Sequence, residues 1–255
     1  MRSGTRAFGE CMEKDLNIKL DKRFTAYGRL FGSLDKPLII IVHGLLCNYR
    51  EGLYMAAARW FARNGYAAFG FNLYGWKKGA RQLIDCTLAM HTADLDAVVR
   101  YFRKKGVKKI FVVGHSFGGP TILSSAVQDF DAVTLWDPSY DISFTKKKYG
   151  YPGGKFVKAL NGYFMAWGVN TVIGKAMARE IDTMTWDALT PKFKVPLHII
   201  AAEKGVLVKG AKKYIAKANE PKKFEIVKGA THYFDDDEEM QERLFAITKS
   251  WLDKF

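Results

Sequence analysis

Short apolar segments alternate with amphipathic helical segments along most of this chain, and that alternation constrains the fold most. Leu38–Val42 is an unbroken apolar run of strand length. Leu53–Arg63 follows, with Leu53, Ala56, Ala57, Trp60 and Phe61 at helical spacing, and Asn64-Gly65 closes it. The rhythm continues with a strand at Tyr66–Phe71, a helix at Thr92–Lys104, a strand at Lys109–Val113, a helix at Phe117–Gln128 and a strand at Ala132–Trp136. It resumes with a strand at Leu197–Ala202, a helix at Lys209–Ala218, a strand at Phe224–Val227 and a helix at Glu238–Leu252. Strands that read as continuous apolar runs are covered on both faces, which predicts an α/β fold with a parallel sheet between helices. Leu16–Gly32 instead reads as an antiparallel hairpin. Residues 138–191 break the rhythm with Pro152-Gly153-Gly154, the triplet Lys146-Lys147-Lys148, and aromatics that include Tyr163, Phe164, Trp167 and Trp186. We read this stretch as a mostly helical cap inserted into a core made of residues 1–137 and 192–255.

A chain of 255 residues suits one large domain, and 48% hydrophobic with 26% charged residues is ordinary globular composition. No apolar run approaches the ~20 residues that span a bilayer. Met1 to Lys19 carries charges but no apolar core, so no signal peptide is expected. Cys11, Cys47 and Cys86 are too few and too scattered for a disulfide framework or a zinc site, and a reducing cytoplasm is the expected setting. The net charge of +14 would attract nucleic acid, anionic lipid or anionic substrates. Arg100–Lys109 holds six basic residues and Lys192–Lys228 holds ten, yet no nucleic-acid-binding signature accompanies them. A solvated basic surface is the favoured reading; weak contact with an anionic membrane surface remains open.

Gly114-His115-Ser116-Phe117-Gly118-Gly119 carries the strongest chemical signal. It fits G-x-S-x-G between an apolar strand and a helical pattern. A serine on a sharp strand-to-helix turn needs glycines two residues either side, because side chains there would clash. His43-Gly44-Leu45-Leu46 follows another strand and can aim the Leu45 N–H at the same point as the Phe117 N–H. Two such donors form an oxyanion hole, each worth roughly 3–4 kcal/mol. His43 itself reads better as a brace for that loop. Gly229-Ala230-Thr231-His232 follows the last strand, and a neutral His232 imidazole there can serve as base to Ser116. His115 is badly aimed, His91 opens a helix and His198 lies in a strand.

These motifs, in this order, resemble the α/β-hydrolases from about Leu16 to Phe255. The resemblance implies a mostly parallel eight-stranded sheet, a cap after the sixth strand and a Ser-acid-His triad in that chain order. It implies no metal or organic cofactor and a small-molecule ester as substrate. The acid departs from the usual pattern, because Ala202-Glu203-Lys204-Gly205 puts Gly205 where many members carry an aspartate. Asp137, in Leu135-Trp136-Asp137-Pro138, is the favoured substitute, in a stretch similar to one in lipases of the pancreatic type. Glu203 is the second candidate, and an acid elsewhere or none at all stays open. Asp235–Asp237 reads as the opening of a helix.

The favoured function is therefore a serine esterase working through an acyl-enzyme. An acyl thioesterase or lipase is the runner-up, with Phe164, Met165, Trp167, Met177 and Met184 as candidate acyl-pocket residues. A non-catalytic member of the fold that binds a ligand or a protein is the rival from another class.

Overall fold

The computed structural model describes residues 12–167 and 169–255. Cys11 and most of the N-terminal stretch read for a signal peptide lie outside the described residues. The chain opens with the hairpin β1 (Glu13–Lys19) and β2 (Thr25–Phe31). The alternation then runs β3 (Leu38–Val42), α1 (Gly52–Arg63), β4 (Ala67–Phe71), α2 (Leu88–Lys104), β5 (Ile110–His115), α3 (Gly118–Leu123) and β6 (Ala132–Trp136). After the insertion come β10 (Leu197–Ala202), α6 (Val208–Lys217), β11 (Lys222–Val227) and α7 (Glu238–Leu252).

Eight strands form one sheet in the order β1-β2-β4-β3-β5-β6-β10-β11. β1, β2 and β4 pair antiparallel, and every other neighbouring pair is parallel. The apolar runs are explained by burial on both faces. Leu38, Ile40 and Val42 of β3 enter one core, while Ile39 and Ile41 enter the core on the other face. Phe61 of α1 and Phe245 of α7 pack in the second core, and Val98 and Phe102 of α2 in the first.

α2 begins four residues before the expected Thr92, because the Thr87 side chain accepts from the Met90 N–H at 3.1 Å. α3 stops well short of the expected Gln128. Ser125 Oγ accepts the Gln128 N–H at 3.0 Å and donates to Asp96 at 2.6 Å, so side-chain bonds replace the next helical turn.

The insertion corrects the expectation of a mostly helical cap. It contains a three-stranded antiparallel sheet, β7 (Lys155–Val157), β8 (Gly162–Ala166) and β9 (Asn170–Gly174), followed by α4 (Lys175–Thr183) and the short α5 (Leu189–Lys192). Val172, Ile173, Tyr163 and Phe164 are β-formers, and their strands are too short to show a period. Glu180 of α4 ties the insertion to the sheet domain by accepting the Leu88 and Ala89 N–H groups at the N-terminus of α2, at 2.6 and 3.0 Å.

Candidate active site

Ser116 sits between β5 and α3 with φ of 53°, in the left-handed region that a non-glycine residue rarely adopts. Its backbone is held there by three hydrogen bonds. Its N–H donates to Trp136 O at 3.0 Å, and its carbonyl accepts from the Gly119 and Ser139 N–H groups at 3.0 Å each. The flanking glycines are required by contact. A Cβ at Gly114 would stand 2.4 Å from Ile122 Cδ1, and one at Gly118 would stand 2.5 Å from Val42 O. The strain of such a turn, of order 1–3 kcal/mol, is offset by this surrounding lattice.

Gly44 packs against Ser116, since a Cβ on it would lie 3.1 Å from Ser116 Cβ. The buried His43 holds the adjoining peptide. Leu73 N–H donates to its Nε2 at 3.1 Å, so Nδ1 carries the proton and donates to Gly44 O at 2.7 Å. Burial pulls the His43 pKa down to about 4, which keeps the ring neutral. Gripping Gly44 O fixes the peptide unit whose N–H belongs to Leu45. Among the described residues, neither the Leu45 N–H nor the Phe117 N–H has an acceptor, and both residues line the same cavity as Ser116.

Asp137 directly follows β6, with its side chain fully buried and φ of 39°. Its N–H donates to Ile200 O at 2.7 Å, and its Oδ1 accepts the Ala202 N–H at 3.2 Å. Its Oδ2 lies 2.6 Å from His232 Nδ1. Glu203 points elsewhere: it is exposed, and its Oε2 accepts the Gly229 N–H at 2.8 Å. The His232 loop is braced by Asp236, which accepts from the Thr231 N–H and hydroxyl at 2.7 and 3.0 Å. Asp237 caps α7 by accepting the Met240 N–H at 2.6 Å.

Ser116 Oγ pairs with Ser139 Oγ at 3.4 Å and makes no hydrogen bond to His232 in this arrangement. Ser116, His232, Leu45 and Phe117 nevertheless border one cavity of about 560 Å³. Its walls include Tyr149, Tyr151 and Trp167 of the insertion, and Val206, Leu207 and Tyr233 of the core. Of the five residues offered as an acyl pocket, Trp167 lines this cavity. Met165 and Met177 are buried in the core, Met184 packs against it, and Phe164 is exposed. Cys47 also lines the cavity, but burial raises its thiol to about 11, so it remains protonated near neutral pH. No cluster of three metal-ligating side chains occurs among the described residues.

A family model described as serine aminopeptidase, S33, matches residues 35–152. The fold matches Est1E from Butyrivibrio proteoclasticus with bound ferulic acid at a TM-score of 0.77, with 20% identity over 93% of this chain and 99% of that one. It matches the α/β-hydrolase GrgF from Penicillium sp. sh18 at 0.74, with 17% identity over 95% and 99%. A monoacylglycerol lipase of Paleococcus ferrophilus matches at 0.67, with 18% identity over 89% and 98%. The chain has the fold of the α/β-hydrolases. An uncharacterized 31.7 kDa protein from the traX-finO intergenic region of Escherichia coli is 31% identical over 101 residues, 38% of this chain. That alignment spans about a third of the curated relative's length, at 35%.

Gly205 stands where many α/β-hydrolases carry an acid, and its contacts explain the glycine. A Cβ at Gly205 would stand 2.9 Å from Asp137 Oδ2 and 3.0 Å from Ala202 O. The bare backbone at Gly205 leaves room for the carboxylate that arrives from β6.

Tyr54, His115 and Ser139 are site neighbours that sequence reasoning did not single out as parts of the site. Their partners lie 10 to 117 residues away, and no local pattern announces such pairings.

Proposed function

We propose that this protein is an α/β-hydrolase, a serine hydrolase of carboxylic esters that works through an acyl-enzyme. The observation that carries the reading is the Asp137 carboxylate 2.6 Å from His232 Nδ1, beside a strained serine in one cavity. Asp137 accepts the Nδ1–H and leaves the Nε2 lone pair for the Ser116 proton. Ser116 Oγ turns from Ser139 towards His232, attacks the ester carbonyl and forms the tetrahedral intermediate. The free N–H groups of Leu45 and Phe117 receive the oxyanion. His232 returns the proton to the leaving alcohol, and water then cleaves the acyl-enzyme by the same base.

Residues 138–191 serve as a cap over this site, with 1–137 and 192–255 as the core. The tyrosines and Trp167 that the insertion contributes to the cavity wall support this division. A volume of about 560 Å³ lies in the range of small-molecule sites and suits a bulky apolar or aromatic group on the ester. The same volume favours a lipase-like acyl substrate as the second reading. The non-catalytic rival rested on Gly205, and the room that glycine leaves for Asp137 weighs against it. The setting stays cytoplasmic in this proposal, supported by the free Cys47 and Cys86. No helix among the described residues is long and apolar enough to cross a membrane.

A fluorophosphonate probe should label Ser116, and p-nitrophenyl esters should give an acyl-enzyme burst. Ser116→Ala should abolish both, leaving at most about 10³–10⁴-fold over water. Full turnover in Ser116→Ala would sink the nucleophile assignment, and an unlabelled wild type would favour the binding protein.

A further inference from the structure

A buried hydrogen-bond chain crosses the site behind Ser116. Gly44 N–H meets Tyr54 Oη at 2.9 Å, Tyr54 Oη meets His115 Nδ1 at 2.8 Å, and His115 Nε2 meets His232 O at 2.8 Å. Tyr54 and His115 are each 1% exposed. The two ends dictate every proton between them. An amide N–H can only donate, so Tyr54 Oη accepts from Gly44 and turns its own hydrogen to His115 Nδ1. A carbonyl oxygen can only accept, so His115 Nε2 carries the ring's hydrogen. One tautomer of a neutral His115 satisfies all three bonds. Burial depresses the His115 pKa well below its ordinary value, in keeping with a ring that stays uncharged. The titratable rings around it are Tyr54, His232 at 4.6 Å between centroids, Tyr233 at 5.4 Å and His43, whose charge would also lower the His115 pKa.

We infer that Tyr54 and His115 are positioning residues that lock the oxyanion loop to the loop carrying His232. The inference rests on the ester-hydrolase reading of the same site. Gly44 precedes the Leu45 donor, and His232 O belongs to the residue whose ring is the base. The chain thus fixes the distance between the oxyanion donor and the base through two side chains that touch no substrate. Small errors in such distances are costly, since a misplacement near 1 Å can lower rates about a hundredfold.

The test pairs kinetics with tautomer measurement on the full chain. Tyr54→Phe deletes the central hydroxyl, and His115→Leu deletes the ring. Each should lower kcat about ten- to a hundredfold with KM within about threefold, because the loss falls on transition-state geometry. His115→Gln can accept from Tyr54 with its amide oxygen and donate to His232 O with its amide nitrogen, so it should recover most of that loss. In wild-type protein, ¹⁵N spectra of the histidines should show His115 with a bare Nδ1 and a protonated Nε2, unchanged from about pH 8 to 5, across the range where a free histidine titrates. Variants with a lowered melting temperature but kcat within about twofold of wild type would overturn the proposal. So would an Nδ1–H tautomer, or a His115 that titrates in that range. If Tyr54→Phe fails to fold, the His115→Leu and His115→Gln pair and the wild-type spectrum decide. A wild type that neither turns over esters nor takes the probe sinks the ester reading, and reduces the pair to a structural clamp.

Discussion

Exchanging Asp137 and Gly205 moves the carboxylate that meets His232 from just after β6 to the position where many α/β-hydrolases carry their acid. Asp137→Asn alone keeps the side-chain shape and an acceptor for the Ala202 N–H, and it suits the positive φ of 39°. It cannot hold the Nδ1–H tautomer of His232, so kcat should fall roughly 10⁴-fold, as in other triads. Glu203→Gln changes an exposed side chain 26 residues away in sequence from its partner Gly229, and kcat should stay within about twofold. Gly205→Asp alone forces a Cβ to within 2.9 Å of Asp137 Oδ2. Two carboxylates so close cannot both be ionised, so one takes up a proton near neutral pH and the His232 partner is disturbed. The double exchange, Asp137→Gly with Gly205→Asp, removes the approach to Oδ2, leaves the 3.0 Å one to Ala202 O, and tolerates the positive φ. Its new carboxylate extends two bonds from a Cβ already beside the old Oδ2 position. That variant should regain at least about tenfold over Asp137→Asn. Initial rates on a p-nitrophenyl ester, with the burst read by stopped flow, measure all four proteins. The reasoning is refuted if Asp137→Asn keeps kcat within about tenfold of wild type, or if Glu203→Gln loses as much.

The remaining expectations concern stability and charge. Burial lowers the pKa of His43, His91 and His198 to about 4, about 3 and about 4, although the Glu225 carboxylate 2.9 Å from His198 partly offsets it. The unfolded chain takes up protons near ~6.5 while the folded chain does not, so stability should fall as pH drops from about 6.5 towards 4, by up to about 1.4 kcal/mol per pH unit for each histidine. Thermal melts between those limits check this, and a flat melting temperature would contradict it. Gly118→Ala puts a Cβ 2.5 Å from Val42 O and should cost about 1–3 kcal/mol in urea unfolding, with kcat reduced as well. The basic surface should contribute little to catalysis. Lys148 is paired with Asp141, and Arg103 with Asp129 and Asp131. kcat/KM on an anionic ester should therefore change little as salt shrinks the Debye length from ~10 Å at 0.1 M to ~3 Å at 1 M, and a steep fall would instead show that basic residues such as Lys146–Lys148 recruit the anion.

The sequence by itself determined the α/β class, most strands of the main sheet and the positions of its motifs. Period and burial are local signals, and β3, β6, β10 and α7 were legible to the residue from them. The turn around Ser116 was legible for the same reason, since its glycines answer to contacts within a few residues or to the adjacent strand. The insertion was misread because strands of three to five residues, partly exposed, carry no clear period. The choice between Asp137 and Glu203 could not be made from the chain alone. Both follow neighbouring strands, and only the pairing of β6 with β10, and of β10 with β11, sets which carboxylate meets His232. Gly205 read as a missing acid in one dimension and in three is the space that the Asp137 carboxylate occupies beside His232. The same holds for the Tyr54 and His115 bonds, which join residues from α1, β5 and the last loop. Hydrogen bonds between distant segments depend on where folding brings each group, and that placement belongs to the tertiary structure.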